Sequence, residues 1–212
     1  KNTKFSSENI FKFEINNKFE LNNLKINSDI NLKKIIYNDN LISSYFSNQN
    51  KEILLDNHRL KLIYEDKVLL GDGVGEFKLE NKTNKIKYTF KKDQNNFEFG
   101  TSLNIKKGIL KNQKIIQEYF PLTKDEINIE NHKINLNYKN KDFTLKGEGK
   151  VKFNKDLNYI KYSYSKNDKD FEFISDINLK SIDLKNQEFL KQFFPSTKKF
   201  LNLQNHKLNI KY

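Results

Sequence analysis

Cysteine, methionine and tryptophan are all missing from this 212-residue chain, and Arg59 is its only arginine. Without cysteine there is no disulfide and no thiolate site, which fits an oxidising envelope compartment without requiring one. No apolar run approaches the ~18 residues of a membrane span. No signal peptide opens the chain. With Lys1 first and no methionine anywhere, the sequence reads as a piece of a longer protein whose targeting segments lie elsewhere. Also missing are a glycine-rich phosphate loop before a helix, a nucleophile elbow, and any carboxylate pair beyond scattered surface charges. These absences leave no active site to expect.

What is present is 36% hydrophobic and 31% charged, with a net charge of +12. That is thin for a compact core, yet 18 Phe and 10 Tyr are far too many for a disordered chain. Lys, Asn and Ile are residues of A/T-rich codons. The positive charge therefore has two readings: codon bias on a solvated surface, or a basic site.

The stretch GILKNQKIIQEYFP, 108–121, returns as IDLKNQEFLKQFFP at 182–195. It belongs to a longer repeat. Asn57-His58, Asn131-His132 and Asn205-His206 are spaced 74 residues apart, and Tyr45-Phe46, Tyr119-Phe120 and Phe193-Phe194 keep that interval. Gly73 and Gly75 recur as Gly147 and Gly149, and Phe97-Glu98-Phe99 as Phe171-Glu172-Phe173. So many markers in register define a continuous repeat array over 1–212. Residues 1–23 end a preceding copy, 24–96 and 97–170 are full copies, and 171–212 is a partial one.

Within one copy the periodicity is mostly that of strands. Phe97, Phe99, Leu103 and Ile105 alternate. Ile115, Ile116, Tyr119 and Phe120 instead fall on one face of a short helix, expected near 111–120 with equivalents near 39–46 and 185–194. Pro121 and Pro195 stop it; Ser47 stands there in the first copy. Alternation resumes at Ile127 and Ile129, then shifts phase across Glu130-Asn131, as either a tight turn or a bulge. It continues through Phe143, Leu145, Val151 and Phe153 and then Ile160 and Tyr162. The expected unit is four or five antiparallel strands and one short helix.

Every strand has one apolar face, and Lys and Asp are almost absent from its in-phase positions. One short helix cannot cover such a face, which leaves two solutions: a sheet folded over as a sandwich, or a sheet curled into a trough. A trough's natural guest is acyl chains, each buried CH₂ being worth about 0.8 kcal/mol. Its lining is expected to be Leu69, Phe77, Ile86, Tyr88, Phe97, Phe99, Leu103, Ile105, Phe143, Leu145, Val151, Phe153, Ile160, Tyr162, Phe171, Phe173 and Ile177. The helix residues Ile115, Ile116, Tyr119 and Phe120 would serve as strut or lid. The paired glycines give either room for a chain-like ligand or a kink that lets the sheet coil.

The long strand, the helix closing on EYFP or QFFP, the Gly-x-Gly strand and the return IKYSYSKNDKDFEF together resemble the AsmA-like envelope proteins, in particular their YhdP branch. The resemblance spans the whole chain. It implies a mainly β, elongated repeat protein whose curled antiparallel sheet forms a hydrophobic groove. It further implies a phospholipid conduit in the periplasm, contributing to outer-membrane biogenesis. Such a protein joins the inner and outer membranes of a Gram-negative envelope and is anchored through an inner-membrane segment to which nothing here corresponds. The family has no catalytic motif, cofactor or metal to carry over.

Three other readings compete. An enzyme would draw on His58, His132 and His206, but a catalytic or metal-binding residue normally occurs once, in unlike surroundings. These histidines are repeat-equivalent, and so are expected to be structural. Nucleic-acid binding would use Lys among aromatics, as in IKYTFKK; on a strand, however, alternating Lys and aromatics point to opposite faces. The third is a structural β-repeat, a solenoid or adhesin with no lipid ligand. A solenoid coil is usually about 20 to 30 residues.

Overall fold

The computed structural model describes residues 4–38, 44, 46, 52–79, 82–111, 117, 126–153, 156–185, 188–193, 195–196 and 200–212. The protein is mainly β, as alternation predicts. Its strands are β1 (Lys4–Ile15), β2 (Leu21–Asn38), β3 (Glu52–Glu65), β4 (Val68–Leu79), β5 (Lys82–Lys92), β6 (Phe97–Lys111), β7 (Glu126–Lys139), β8 (Asp142–Phe153), β9 (Asp156–Lys166), β10 (Phe171–Lys185) and β11 (Phe200–Lys211). A short helix, α1 (Glu188–Phe193), precedes β11.

All 11 strands form a single antiparallel sheet in which chain order is sheet order. At about 4.8 Å per step the sheet is about 48 Å across. Strands β3 to β6 open at Glu52, Val68, Lys82 and Phe97, and β7 to β10 open 74 residues later, at Glu126, Asp142, Asp156 and Phe171. Each interval therefore holds four strands.

The tight hairpins follow from local chemistry. The β3–β4 turn has Asp66 and Lys67 at φ 50° and 64°, and the β7–β8 turn has Asn140 and Lys141 at 47° and 80°. Two consecutive left-handed residues make the turn whose twist matches that of the flanking strands. The β5–β6 turn uses a side chain instead. Asp93 Oδ1 accepts the backbone N–H groups of Asn95 and Asn96 at 2.9 and 2.7 Å. Asn167 does the same for Lys169 and Asp170 in β9–β10, both at 2.8 Å.

The Asn-His step is a bulge and not a turn. Pairing jumps from Asp56↔Glu76 to Arg59↔Val74, and from Glu130↔Lys150 to Lys133↔Glu148. Two residues, Asn and His, thus oppose one glycine, Gly75 or Gly149. Asn57, Asn131 and Asn205 take φ 52°, 48° and 53° there, a region asparagine enters at less cost than most residues.

A second phase change sits in β6, where Ile105 and Gly108 are both buried although they stand three positions apart. It frees the backbone N–H of Lys106, which Asn84 Oδ1 accepts at 2.9 Å while Asn84 Nδ2 donates to Lys82 O at 3.0 Å. Asn158 repeats this with Lys180 and Asp156, at 2.8 and 3.0 Å. The β5–β6 ladder ends at Lys85↔Asn104, and further along β6 Leu110 pairs with Phe46. Between β2 and β3 the chain therefore reaches across to β6, an interlock that ties one interval to the next.

The buried core is one cluster that includes Ile53, Phe77, Leu79, Ile105, Ile127, Ile129, Val151, Phe153, Leu179 and Ile182. It spans β3 to β10, and Phe46 packs against it. The expected helix residues Ile115, Ile116, Tyr119 and Phe120 lie outside the described residues, as does most of 39–46. Of the helix expected at 185–194, the described part is α1, and Lys185 belongs to β10. Its Phe193, the counterpart of Tyr119, is exposed.

Candidate functional site

Residues directly paired across strands share a face, so the register assigns every side chain. Phe99 pairs with Phe90 on one side and Tyr138 on the other; Leu103 pairs with Ile86 and Ile134. Onward through β4, Ile86 meets Gly75, Tyr88 meets Gly73 and Asn84 meets Phe77. In the other direction Tyr138 meets Phe143, Leu136 meets Leu145 and Ile129 meets Val151. Gly147 meets Tyr162 and Gly149 meets Ile160, which then meets Ile177; Tyr164 meets Phe173 and Lys166 meets Phe171. Leu69 and Phe97 share Lys92 as neighbour, Ile105 joins through His132, and Phe153 continues the alternation of β8. The residues expected to line a trough thus all occupy one face of one sheet.

That face is graded along the strands. At one end Phe77, Ile105, Val151 and Phe153 are buried. At the hairpin end Phe97 and Phe171 are exposed, at 41% and 52%, and an aromatic margin forms. Phe97–Tyr138, Phe143–Tyr164, Tyr164–Phe171 and Phe171–Tyr212 have ring centroids 6.2, 5.9, 6.3 and 5.4 Å apart, the spacing of favourable aromatic pairs. On β1 the same face is open throughout, with Phe5, Phe11 and Phe13 exposed.

The face is less purely apolar than its sequence pattern implies. Lys92 and Lys166 share it at the hairpin end, paired with Phe97 and Phe171, and Lys82 and Asp156 share it at the other end, paired with Leu79 and Phe153. The expectation that Lys and Asp are almost absent from in-phase positions holds only for the strand interiors. Strand ends reach solvent, where a flexible lysine keeps its charge hydrated. Buried in its interior are the polar His58, Asn84, His132, Asn158 and Ser175. Sequence reasoning passed over Asn84 and Asn158; their signal was a polar residue recurring after 74 positions in an apolar phase.

The glycines leave no open space for a ligand beside them. A Cβ on Gly73 or Gly147 would lie 2.2 Å from the Tyr88 or Tyr162 ring, and one on Gly75 or Gly149 would lie 2.3 or 2.5 Å from the His58 or His132 ring. None of the glycines has positive φ. Their role is space, filled by the protein's own rings. His58–Tyr88 and His132–Tyr162 centroids are 6.1 and 5.7 Å apart. His58 Nε2 lies 3.0 Å from Glu76 O, whereas His132 Nε2 lies 3.1 Å from Tyr162 Oη. His132 Nδ1 is buried with no partner among the described residues. Burial holds the His132 pKa below its ordinary value, against a weaker upward pull from Glu148, and raises that of Tyr162. Among the described residues no His, Asp and Glu cluster is placed to share a metal ion.

The opposite face carries cross-strand ion pairs such as Lys25–Glu65 at 2.7 Å, Lys78–Asp56 at 2.9 Å and Lys139–Glu98 at 3.1 Å. Exposed pairs of this kind contribute little each. Two shallow hollows open on this polar face. One, of about 380 Å³, lies between Lys133, Lys146, Lys161, Glu148 and Asp176. The other, of about 410 Å³, lies beside Lys91, Glu98, Asn137 and Lys139. Among the described residues no helix is long and apolar enough to cross a membrane. No family model, curated protein or solved structure matches the chain.

Proposed function

We propose that this chain is a non-enzymatic conduit for phospholipid, an elongated repeat whose curled sheet carries acyl chains along its apolar face. The observation that supports the reading is the continuation of one largely apolar face over strands β1 to β11, buried at one end of β3 to β10 and open at the aromatic margin. A passive conduit needs that continuity, because an acyl chain meeting a desolvated charge along its path is held up. The charges on this face stand at strand ends, where water reaches them. Together with the resemblance to the YhdP branch of the AsmA-like envelope proteins, this suggests work in the periplasm, between inner and outer membrane, with an inner-membrane anchor outside this sequence.

The second reading, a structural β-repeat without lipid, is favoured by the glycine sites, whose space is taken by Tyr88, Tyr162, His58 and His132. Mass spectrometry of organic extracts from the purified protein separates the two. Stoichiometric phospholipid supports the conduit, and lipid-free protein supports the structural sheet.

A further inference from the structure

We propose that Lys92 and Lys166 are phosphate anchors at the open margin of the apolar face. Each holds the headgroup of a phospholipid whose acyl chains run along the strands toward the buried end. The proposal deepens the conduit reading and rests on it. The two lysines stand 74 positions apart and are the last residues of β5 and β9. Lys92 pairs with Leu69 and Phe97, and Lys166 pairs with Phe143 and Phe171. Each interval thus sets one cation in a row of apolar neighbours on the same face.

Three observations separate these lysines from ordinary solvated strand ends. The first is their lack of partners. At the same end Lys139 pairs with Glu98 and Lys141 with Asp168, both at 3.1 Å, whereas Lys92 and Lys166 make no ion pair among the described residues. The Asp93 carboxylate beside Lys92 is taken up in its own turn by Asn95 and Asn96, and its counterpart is the neutral Asn167. The second is sign. At the opposite end of the same strands Lys82 is replaced after 74 positions by Asp156, so only the hairpin end repeats a cation. The third is solvent. Phe97, on the sixth of 11 strands and far from either sheet edge, is 41% exposed, whereas Leu79 and Phe153 beside Lys82 and Asp156 are buried. A phosphate at the hairpin end stays hydrated, and at the buried end it would lose its water. A lysine ammonium offers it a point charge and three donors. Strands β5 and β9 lie four steps apart, about 19 Å, so the headgroup stations recur along one apolar floor.

The test incubates the chain with vesicles of phosphatidylglycerol doped with diacylglycerol of the same acyl chains, re-isolates it, and measures both bound lipids by mass spectrometry. The variant combines Lys92→Gln with Lys166→Gln. A control combines Lys87→Gln with Lys161→Gln, which removes the same charge at the same spacing from the polar face. All four lysines are exposed, and unchanged circular dichroism is expected of both proteins. The ratio of bound phospholipid to bound diacylglycerol is expected to fall about fivefold in the variant and to hold in the control. Both lipids bound at one ratio by all three proteins overturns the anchors and leaves the conduit standing. An equal fall in the control also overturns the anchors, because the attraction is then not local to the margin. Wild-type chain that binds neither lipid overturns the conduit, and the anchors with it.

Discussion

The imidazole of His132 occupies the space that a side chain on Gly149 would need: a Cβ there would stand 2.5 Å from Nδ1 and 2.6 Å from the His132 Cα. Backbone cannot give way as a flexible side chain does. Gly149→Ala is therefore expected to destabilise the fold by about 1–3 kcal/mol. A Cβ on Gly100 would come no closer than 3.2 Å, to the side chains of Asn137 and Thr89, so Gly100→Ala is expected to have a much smaller effect. Denaturant titration of the two variants checks the contrast, and equal losses would contradict it.

Asn158 supplies the acceptor that the Lys180 N–H lacks at the phase change in β10. Asn158→Ala removes that acceptor from a part-buried N–H, at an expected cost of about 0.5–1.5 kcal/mol. Asn178, exposed on the opposite face of the same strand, provides the control, and Asn178→Ala is expected to stay within about 0.5 kcal/mol. Thermal unfolding reads both.

These asparagines also show where the sequence was legible and where it was not. In β8 the alternation of Phe143, Leu145, Val151 and Phe153 marks strand, face and register at once, because both neighbours run along its full length. At Asn131-His132 a turn and a bulge produce the same phase shift. Only the pairing of Glu130 and Lys133 with β8 decides between them. The glycine pair likewise signals missing side chains without saying whose atoms fill the gap. Contacts such as Phe46 with Leu110 join segments distant in sequence, and no local periodicity carries them.

Burial disfavours the charged form of His132, whose Nδ1 has no partner among the described residues to accept a second proton. Its folded pKa lies below the unfolded value. The corresponding stability is therefore complete above the ordinary histidine range, about pH 6.5, and is lost as pH falls below it. Between about pH 7.5 and about pH 5 the wild-type chain is expected to lose more stability than His132→Gln, measured by denaturant titration at each pH. Identical pH slopes would contradict this.

Disrupting the apolar face should separate folding from transport. Phe99 is half-buried and faces Phe90 and Tyr138. Phe99→Asp is expected to leave the other strands folded, by circular dichroism, while abolishing phospholipid co-purification. Retained phospholipid in this variant would mean that acyl chains do not run along this face.

The most direct measurement places a photocrosslinking side chain at Phe99 or Phe143 on the apolar face, and at Glu98 or Lys146 on the polar face. Each pair, Phe99 with Glu98 and Phe143 with Lys146, then reports opposite faces of one strand. The account predicts phospholipid adducts at Phe99 and Phe143 and none at Glu98 and Lys146. Equal labelling of both faces, or adducts confined to Glu98 and Lys146, would contradict it.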